Sequence, residues 1–311
     1  MTSEPSHRHG GPADDLGTDF DPCYDDVGQV AVDGLVRLLD LERIEENIFR
    51  GDSSRTRWQR AFGGQVAGQA LVAAGRTVDP DRHVHSLHSY FIRPGDSNAP
   101  IVYEVDRVRD GRSFTTRRVT AIQFGRAIFA LSASFQLDQP GLEHGSPMPD
   151  APPPESLPTF RERYERADKE LADYYRTSPR PIDLRYVDDP PWQQADPQPR
   201  DGINRVWMRA NGRLPDDPLL HVCVLTFASD MTLLDSVLVR HGLVAGRQVK
   251  AMASLDHAMW FQGRFRADEW ILYVSESPTA AGGRGLASGR FFDQSGRHLV
   301  SVMQEGMVRI R

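Results

Sequence analysis

A chain of 311 residues is long enough for two domains, each with its own hydrophobic core. Its 39% apolar and 26% charged residues are ordinary for a soluble globular protein, and a net charge of −6 supplies no global basic field for nucleic acid or an anionic membrane. A local basic pocket for a phosphorylated ligand stays compatible with that balance. Cys23 and Cys223 give neither a disulfide framework nor a metal-ligand spacing, which fits a reducing compartment. No apolar run is long enough to span a bilayer. The first residues lack the basic and apolar regions of a signal peptide, and Arg309-Ile310-Arg311 is not a peroxisomal address, so the expected setting is cytoplasmic.

Residues 1–28 are polar, acidic and rich in Gly and Pro, the composition of a disordered tail. VDGLVRLLDL (32–41) has helical spacing, and IEENIFRG (44–51) reads as a short alternating strand. Phe62-Gly63-Gly64-Gln65 then opens a helix in which Val66, Ala70, Ala73 and Ala74 form a small-residue face, able to sit close to a curved sheet. Strands follow at 83–92, 100–109, 113–123 and 126–136, with turns at Pro94-Gly95-Asp96 and Asp110-Gly111. The Pro-rich stretch 137–158 is a linker by composition, and a charged helix, FRERYERADKELADYYR, comes after it. Strands are predicted at 182–187 and 203–210, a bent helix over 218–241, and strands again at 250–261, 269–276, 285–293 and 297–310.

The two halves echo each other. Gly125-Arg126 introduces the strand AIFALSASFQ, and Gly296-Arg297 introduces HLVSVMQEGMV. Aligning Phe129 with Val300 (300 − 129 = 171) pairs Phe129, Leu131, Ala133 and Phe135 with Val300, Val302, Gln304 and Gly306. Ser86-Leu87-His88 likewise echoes Ser254-Leu255-Asp256 (254 − 86 = 168). So long a period indicates a duplicated domain, not a solenoid. Each copy is one helix wrapped by several antiparallel strands, an α+β layout whose known solution is the hotdog fold.

Only the second copy places polar groups on its inward positions. Asp230 shares a helical face with Phe227 and Leu234; a carboxylate there is either a capping residue at a bend beside Ser229 or a desolvated general base. Ser254 lies in SLDHAMWF, where alternation sets Ser254, Asp256, Ala258 and Trp260 opposite Leu255, His257, Met259 and Phe261. Gln304 shares a face with Val300, Val302 and Val308, and a buried amide both donates and accepts. A strand serine and an amide serving a neighbouring backbone group are the plain readings. Taken together, an Asp that accepts a proton from water, with Ser and Gln fixing that water, suits attack on an activated carbonyl such as a thioester. Other clusters are weaker. His83, His85 and His88 do not share one strand face, Arg55, Arg57 and Arg60 read as solvated surface, and FGGQVAG lacks the dinucleotide glycine spacing.

IEENIFRG, FGGQVAGQAL, HSLHSYFIRPGD, the two Gly-Arg strands, SLDHAMWF and VMQEGMVR together resemble the type II acyl-CoA thioesterases, over nearly all of the chain beyond the tail. The resemblance implies an α+β tandem (double) hotdog, each half a curved antiparallel sheet wrapped around a central helix. Residues 29–137 would form the first hotdog, 138–180 a linker with the charged helix, and 181–311 the second hotdog, which carries the catalytic residues. The family's water-activating Asp, Thr and Gln fall on Asp230, Ser254 and Gln304, with Ser254 keeping the hydroxyl of the usual Thr and losing its methyl. Gly63, Gly64 and Gln65 would line the substrate pocket or polarise the thioester carbonyl through backbone N–H groups. An acyl-CoA would be hydrolysed to fatty acid and CoA with no cofactor and no metal, in a homo-oligomer of double-hotdog protomers. Two alternatives stand beside this one. A hotdog hydratase or dehydratase would need His257 at the acyl β-carbon, and a non-catalytic acyl-CoA-binding module would need no base.

Overall fold

The computed structural model describes residues 24–54, 60–167, 180–193, 196–245 and 247–311. The expected tail falls almost wholly outside them, as do Arg55, Arg57 and the part of the charged segment beyond Ala167. Helix α1 (Tyr24–Leu39) starts upstream of its apolar spacing and leads into β1 (Glu42–Glu45) and β2 (Ile48–Gly51). The single strand expected over 44–51 is thus a two-strand hairpin turning at Glu46-Asn47. Helix α2 (Gly63–Gly75) and strands β3 (Arg82–Phe91), β4 (Ile101–Asp110), β5 (Phe114–Gln123) and β6 (Arg126–Leu137) follow as the alternation and turns predict.

After the connection come α3 (Phe160–Ala167), β7 (Ile182–Tyr186) and β8 (Asn204–Ala210). The bent helical run resolves into α4 (Pro218–Ser229) and α5 (Asp235–His241), joined through turns at 230–234. Strands β9 (Val249–Ser254), β10 (Asp256–Phe261), β11 (Ile271–Ala281), β12 (Arg284–Asp293) and β13 (His298–Ile310) complete the chain.

The 13 strands form one sheet in the order β1-β2-β4-β5-β6-β3-β10-β13-β12-β11-β8-β7, with β9 pairing against β13. Its seam is the antiparallel pair β3–β10, from Tyr90 opposite Asp256 to Ser86 opposite Trp260. Outward from that seam the halves run β3-β6-β5-β4-β2-β1 and β10-β13-β12-β11-β8-β7, strand for strand. This is the tandem hotdog. The pairing also corrects one sequence echo. Leu131 faces Ser89 and its counterpart Val302 faces Met259, so true counterparts lie 259 − 89 = 170 residues apart. His257 is therefore the counterpart of Leu87, and the Ser-Leu match at 168 is two residues out of register.

Helix α2 is apolar apart from Gln65 and Gln69 on one side, and residues 64–74 are all buried, as an enclosed helix requires. Alanines were the expected close-approach face, but the tightest contact is made by glycines against α4. A Cβ at Gly64 would lie 2.3 Å from the Phe227 carbonyl oxygen, and one at Gly68 would lie 3.2 Å from that of Cys223. The order of these contacts makes the two central helices antiparallel neighbours. Helix α1 also ties the halves together, since the Gln29 carboxamide accepts from Arg213 N (2.7 Å) and donates to Arg213 O (3.1 Å).

The segment read as a linker packs against the outer face of the second half. Trp207, Trp270, Leu272, Val274 and Phe292 form a buried cluster beneath Met148, Ala151 and Leu157. Trp207 Nε1 donates to Pro152 O (2.9 Å) and Arg205 Nη1 to Asp150 O (2.7 Å), which fixes the strap in place. Leu272→Ala is expected to destabilise the protein by about 2–5 kcal/mol in chemical denaturation, as a core truncation does. A loss below about 0.5 kcal/mol, typical of a surface position, would mean the strap does not bury this face.

Candidate active site

Asp230 is the C-cap of α4 (φ −80°, ψ −5°), so it stands at the bend and not along a helical face. A carboxylate at a helix C-terminus meets the negative end of the macrodipole, which is unfavourable by roughly 0.3–1 kcal/mol. The opposite end of another helix compensates. The N-terminus of α2 points at Asp230, and the Gly64 N–H donates to its carboxylate. A Cβ at Gly63 would stand 2.6 Å from Asp230 Oδ2 and 2.9 Å from the Phe91 ring. Glycine at 63 and 64 is what lets the two helix ends close on one carboxylate.

Ser254 reaches the same carboxylate from β9. Ser254 lies opposite Gly306 and Ala258 opposite Met303, so four steps on one strand face three on the other. This one-residue bulge breaks the alternation expected over 254–261. Leu255 sits in the break, where its N–H donates to Glu305 O (2.9 Å) and its carbonyl accepts from Phe91 N (2.9 Å). Strict alternation would put Ser254 and His257 on opposite faces; with the bulge both face inward. His257 is thus the site residue that alternation hid, and no residue type marks the slip.

The hydrogen bonds close on themselves. The Ser254 hydroxyl donates to Asp230 Oδ1 (3.1 Å), and the Gln304 amide Nε2 donates to Asp230 Oδ1 (3.0 Å) and to Ser254 Oγ (2.5 Å). Gln304 Oε1 can only accept, so the His257 Nδ1–H donates to it (2.5 Å). On the far side of the imidazole, Nε2 lies 2.8 Å from Ser229 Oγ. Burial lowers the His257 pKa, which favours the neutral ring, with the proton on Nδ1 facing Gln304 Oε1. Burial also raises the Asp230 pKa above the usual carboxylate range, while the hydrogen bonds from Gln304, Ser254 and Gly64 each pull it back. Gln304 and His257 are each 1% exposed, whereas Asp230 and Ser254 are half-buried. The open end of the cluster is therefore the carboxylate and the hydroxyl, where a water can enter.

Gln65 is placed differently from Gly63 and Gly64. Its carboxamide accepts from Ser54 N (3.2 Å) and donates to Asp52 O (3.2 Å), so it holds the 52–54 segment. The three histidines of β3 do not converge: His83 lies by Asp138, His85 bonds Ser134 Oγ (2.8 Å), and His88 packs edge-on against Trp260. Among the described residues no three His, Cys, Asp or Glu side chains form a metal-holding group. In the first half the counterparts of His257 and Gln304 are Leu87 and Ala133, paired across β3–β6 and fully buried. The polar cluster therefore has no equivalent there.

A helix-filled antiparallel sheet here brings a carboxylate, a hydroxyl and a carboxamide into one hydrogen-bonded cluster. Residues 185–307 match the acyl-CoA thioesterase family, and residues 53–136 match the acyl-CoA thioesterase N-terminal domain. The mouse protein acyl-coenzyme A thioesterase 8 is 42% identical over 290 residues, covering 88% of each chain. The crystal structure of an acyl-CoA thioesterase II from Mycobacterium marinum is 47% identical, with a TM-score of 0.73 over 89% of this chain and 98% of that one. A hot dog fold protein from Alicyclobacillus acidocaldarius, 21% identical, shares the fold with a TM-score of 0.71 over 89% and 98%. The chain belongs to the type II acyl-CoA thioesterase family and is a thioester hydrolase.

Gly64→Ala would force α2 away from Phe227 O and withdraw its N–H from Asp230. A fall in Tm of several degrees, read by thermal denaturation, is expected of such backbone overpacking. An unchanged Tm would mean that the helices do not meet this closely.

Proposed function

We propose that this enzyme hydrolyses fatty acyl-CoA to free fatty acid and CoA by direct attack of a water held by Asp230, Ser254 and Gln304. The observation that carries the reading is the convergence on one half-buried carboxylate of three donors, the Ser254 hydroxyl, the Gln304 amide and the Gly64 N–H. They occupy Oδ1 and the helix-end side, and the water is assigned to the remaining carboxylate lone pairs. Asp230 takes a proton from that water as its oxygen bonds to the thioester carbon, and the carbonyl π pair moves onto oxygen. Collapse of the tetrahedral species breaks the C–S bond, and Asp230 returns the proton to the departing thiolate. General-base action of this kind contributes roughly 10²–10⁴-fold. The Gly64 N–H is committed to Asp230, and the neighbouring Gly63 N–H, another orphan donor of that turn, is assigned to polarise the thioester carbonyl. Gln65 contributes at one remove, by holding the 52–54 segment beside the helix start.

In this reading residues 181–311 supply the chemistry, while 29–137 supplies the glycine wall and one edge of the seam. His257 is engaged at both ring nitrogens and buried, so it has no free edge for an acyl β-carbon, which favours hydrolysis over hydration. A binding module has no use for a carboxylate held at a raised pKa. The reading extends to a cytoplasmic setting, supported by a buried free Cys223, and to oligomers of the double-hotdog protomer. No described helix is long and apolar enough to cross a membrane.

Free-thiol release from palmitoyl-CoA is expected for the wild type and to fall at least about 100-fold in Asp230→Asn, both confirmed folded. Equal turnover by the two would remove Asp230 from the chemistry, and acyl-CoA binding without turnover would return the module reading. The base works ionised and burial raises its pKa, so kcat should fall as pH drops through a midpoint above the ordinary carboxylate value of about 3.9. Ser254→Ala removes a donor that holds that pKa down and should move the acid limb to higher pH. A limb unmoved by Ser254→Ala would assign it to another group.

A further inference from the structure

Asp230, Ser254 and Gln304 account for the water, and one fully buried polar side chain beside them is left without a part in the reaction. We propose that His257 is a positioning residue that sets the orientation of the Gln304 carboxamide. This deepens the thioesterase reading and rests on it.

A carboxamide has two orientations that differ only by exchanging oxygen and nitrogen. One sends two N–H donors to Asp230 Oδ1 and Ser254 Oγ, the arrangement found. The other would aim the amide oxygen at the Asp230 carboxylate, lone pair against charge, and take away the donor that holds the base. The partner on the far side of the amide decides between them. His257 Nδ1 is 2.5 Å from Gln304 Oε1, and an N–H there accepts no competing orientation, because a flipped amide would set donor against donor.

The histidine is itself fixed. Ser229 Oγ lies 2.8 Å from Nε2 and is anchored in turn by its own donation to the Thr226 carbonyl (2.9 Å), which holds the ring in place. Ser229 is the last residue of α4, and its carbonyl accepts from Tyr273 OH (3.3 Å). The chain Ser229–His257–Gln304–Asp230 therefore leaves the end of α4, crosses β10 and β13, and returns to the residue next to its start. The titratable groups facing this loop are Asp230, Asp256 from the same strand as His257, and Tyr273 from β11.

Packing does not require a polar residue here. In the first half the counterpart pair is Leu87 and Ala133, 0% and 1% exposed. A hotdog half thus folds with an apolar residue in this place, and the His257–Gln304 pair occurs where the base is.

The test compares wild type, His257→Leu, His257→Asn and Asp230→Asn in palmitoyl-CoA hydrolysis across pH, with Tm measured for each. His257→Leu installs the counterpart residue. We expect kcat to fall about tenfold or more with KM within about threefold, and the acid limb to shift to higher pH as Asp230 loses its oriented donor. His257→Asn keeps an N–H at the place of Nδ1 and should recover most of kcat and the wild-type limb. A residue that only packs would show the reverse, with Tm falling and the limb unmoved. Wild-type kcat and limb in His257→Leu, or equal impairment in His257→Asn, would overturn the proposal. If His257→Leu does not fold, Ser229→Ala asks the same question by removing the contact that holds the ring at Nε2 and with it the aim of Nδ1 at Gln304 Oε1. An unshifted limb there would also overturn it. Full turnover in Asp230→Asn would instead bring down the thioesterase mechanism itself; loss in Asp230→Asn with none in His257→Leu would bring down only the role of His257.

Discussion

Everything distinctive in this molecule follows from one carboxylate held between two helix ends. Asp230 closes α4 and faces the start of α2. Moving a carboxylate out of water costs several kcal/mol even after relaxation. A helix dipole returns at most about 2 kcal/mol, and each charge-assisted hydrogen bond about 1.5–3 kcal/mol. Neither source suffices alone, and the donors from Gly64, Ser254 and Gln304 act together against the cost of burial. A carboxylate satisfied completely would be a weak base, and one left bare would be protonated.

The arrangement demands both halves of the chain. The α2 helix belongs to the first repeat, while Asp230, Ser254 and Gln304 belong to the second. Joining them takes a helix crossing too close for a side chain at Gly64 against Phe227 and tight at Gly68 against Cys223. It also takes a shared sheet, through the β3–β10 seam. A duplicated fold would otherwise place identical environments on the two sides. Here the symmetry is broken at Leu87 and Ala133 versus His257 and Gln304, so one side is a packed core and the other a polar site.

Much of this was legible in the sequence. Periodicity and turn residues gave nearly every strand of both halves, because the period-2 signal is strong where one sheet face packs on a helix. The same logic singled out Asp230 and Gln304 as polar groups on apolar positions, and the structure brings them together with Ser254. Three features lay beyond it. The bulge between Ser254 and Ala258 depends on how β13 is registered, and the residues 254–258 do not encode that register locally. His257 was therefore assigned to the wrong face. The strap over Trp207 and Trp270 was read as a linker, because Pro-rich composition reports what a segment cannot form and not what it covers. Finally, the role of Gln65 in holding Asp52 and Ser54 is a contact between segments far apart in the pattern.

The most direct measurement is a crystal structure with an acyl-CoA analogue in which a methylene replaces the thioester sulfur, leaving a ketone that cannot be hydrolysed. An ordered water touching Asp230, within attack distance of the ketone carbon and with the ketone oxygen over Gly63, is the expected result. A ketone carbon seated away from Asp230, or Asp230 itself in contact with that carbon and no space for water between them, would contradict the carboxylate's part as general base.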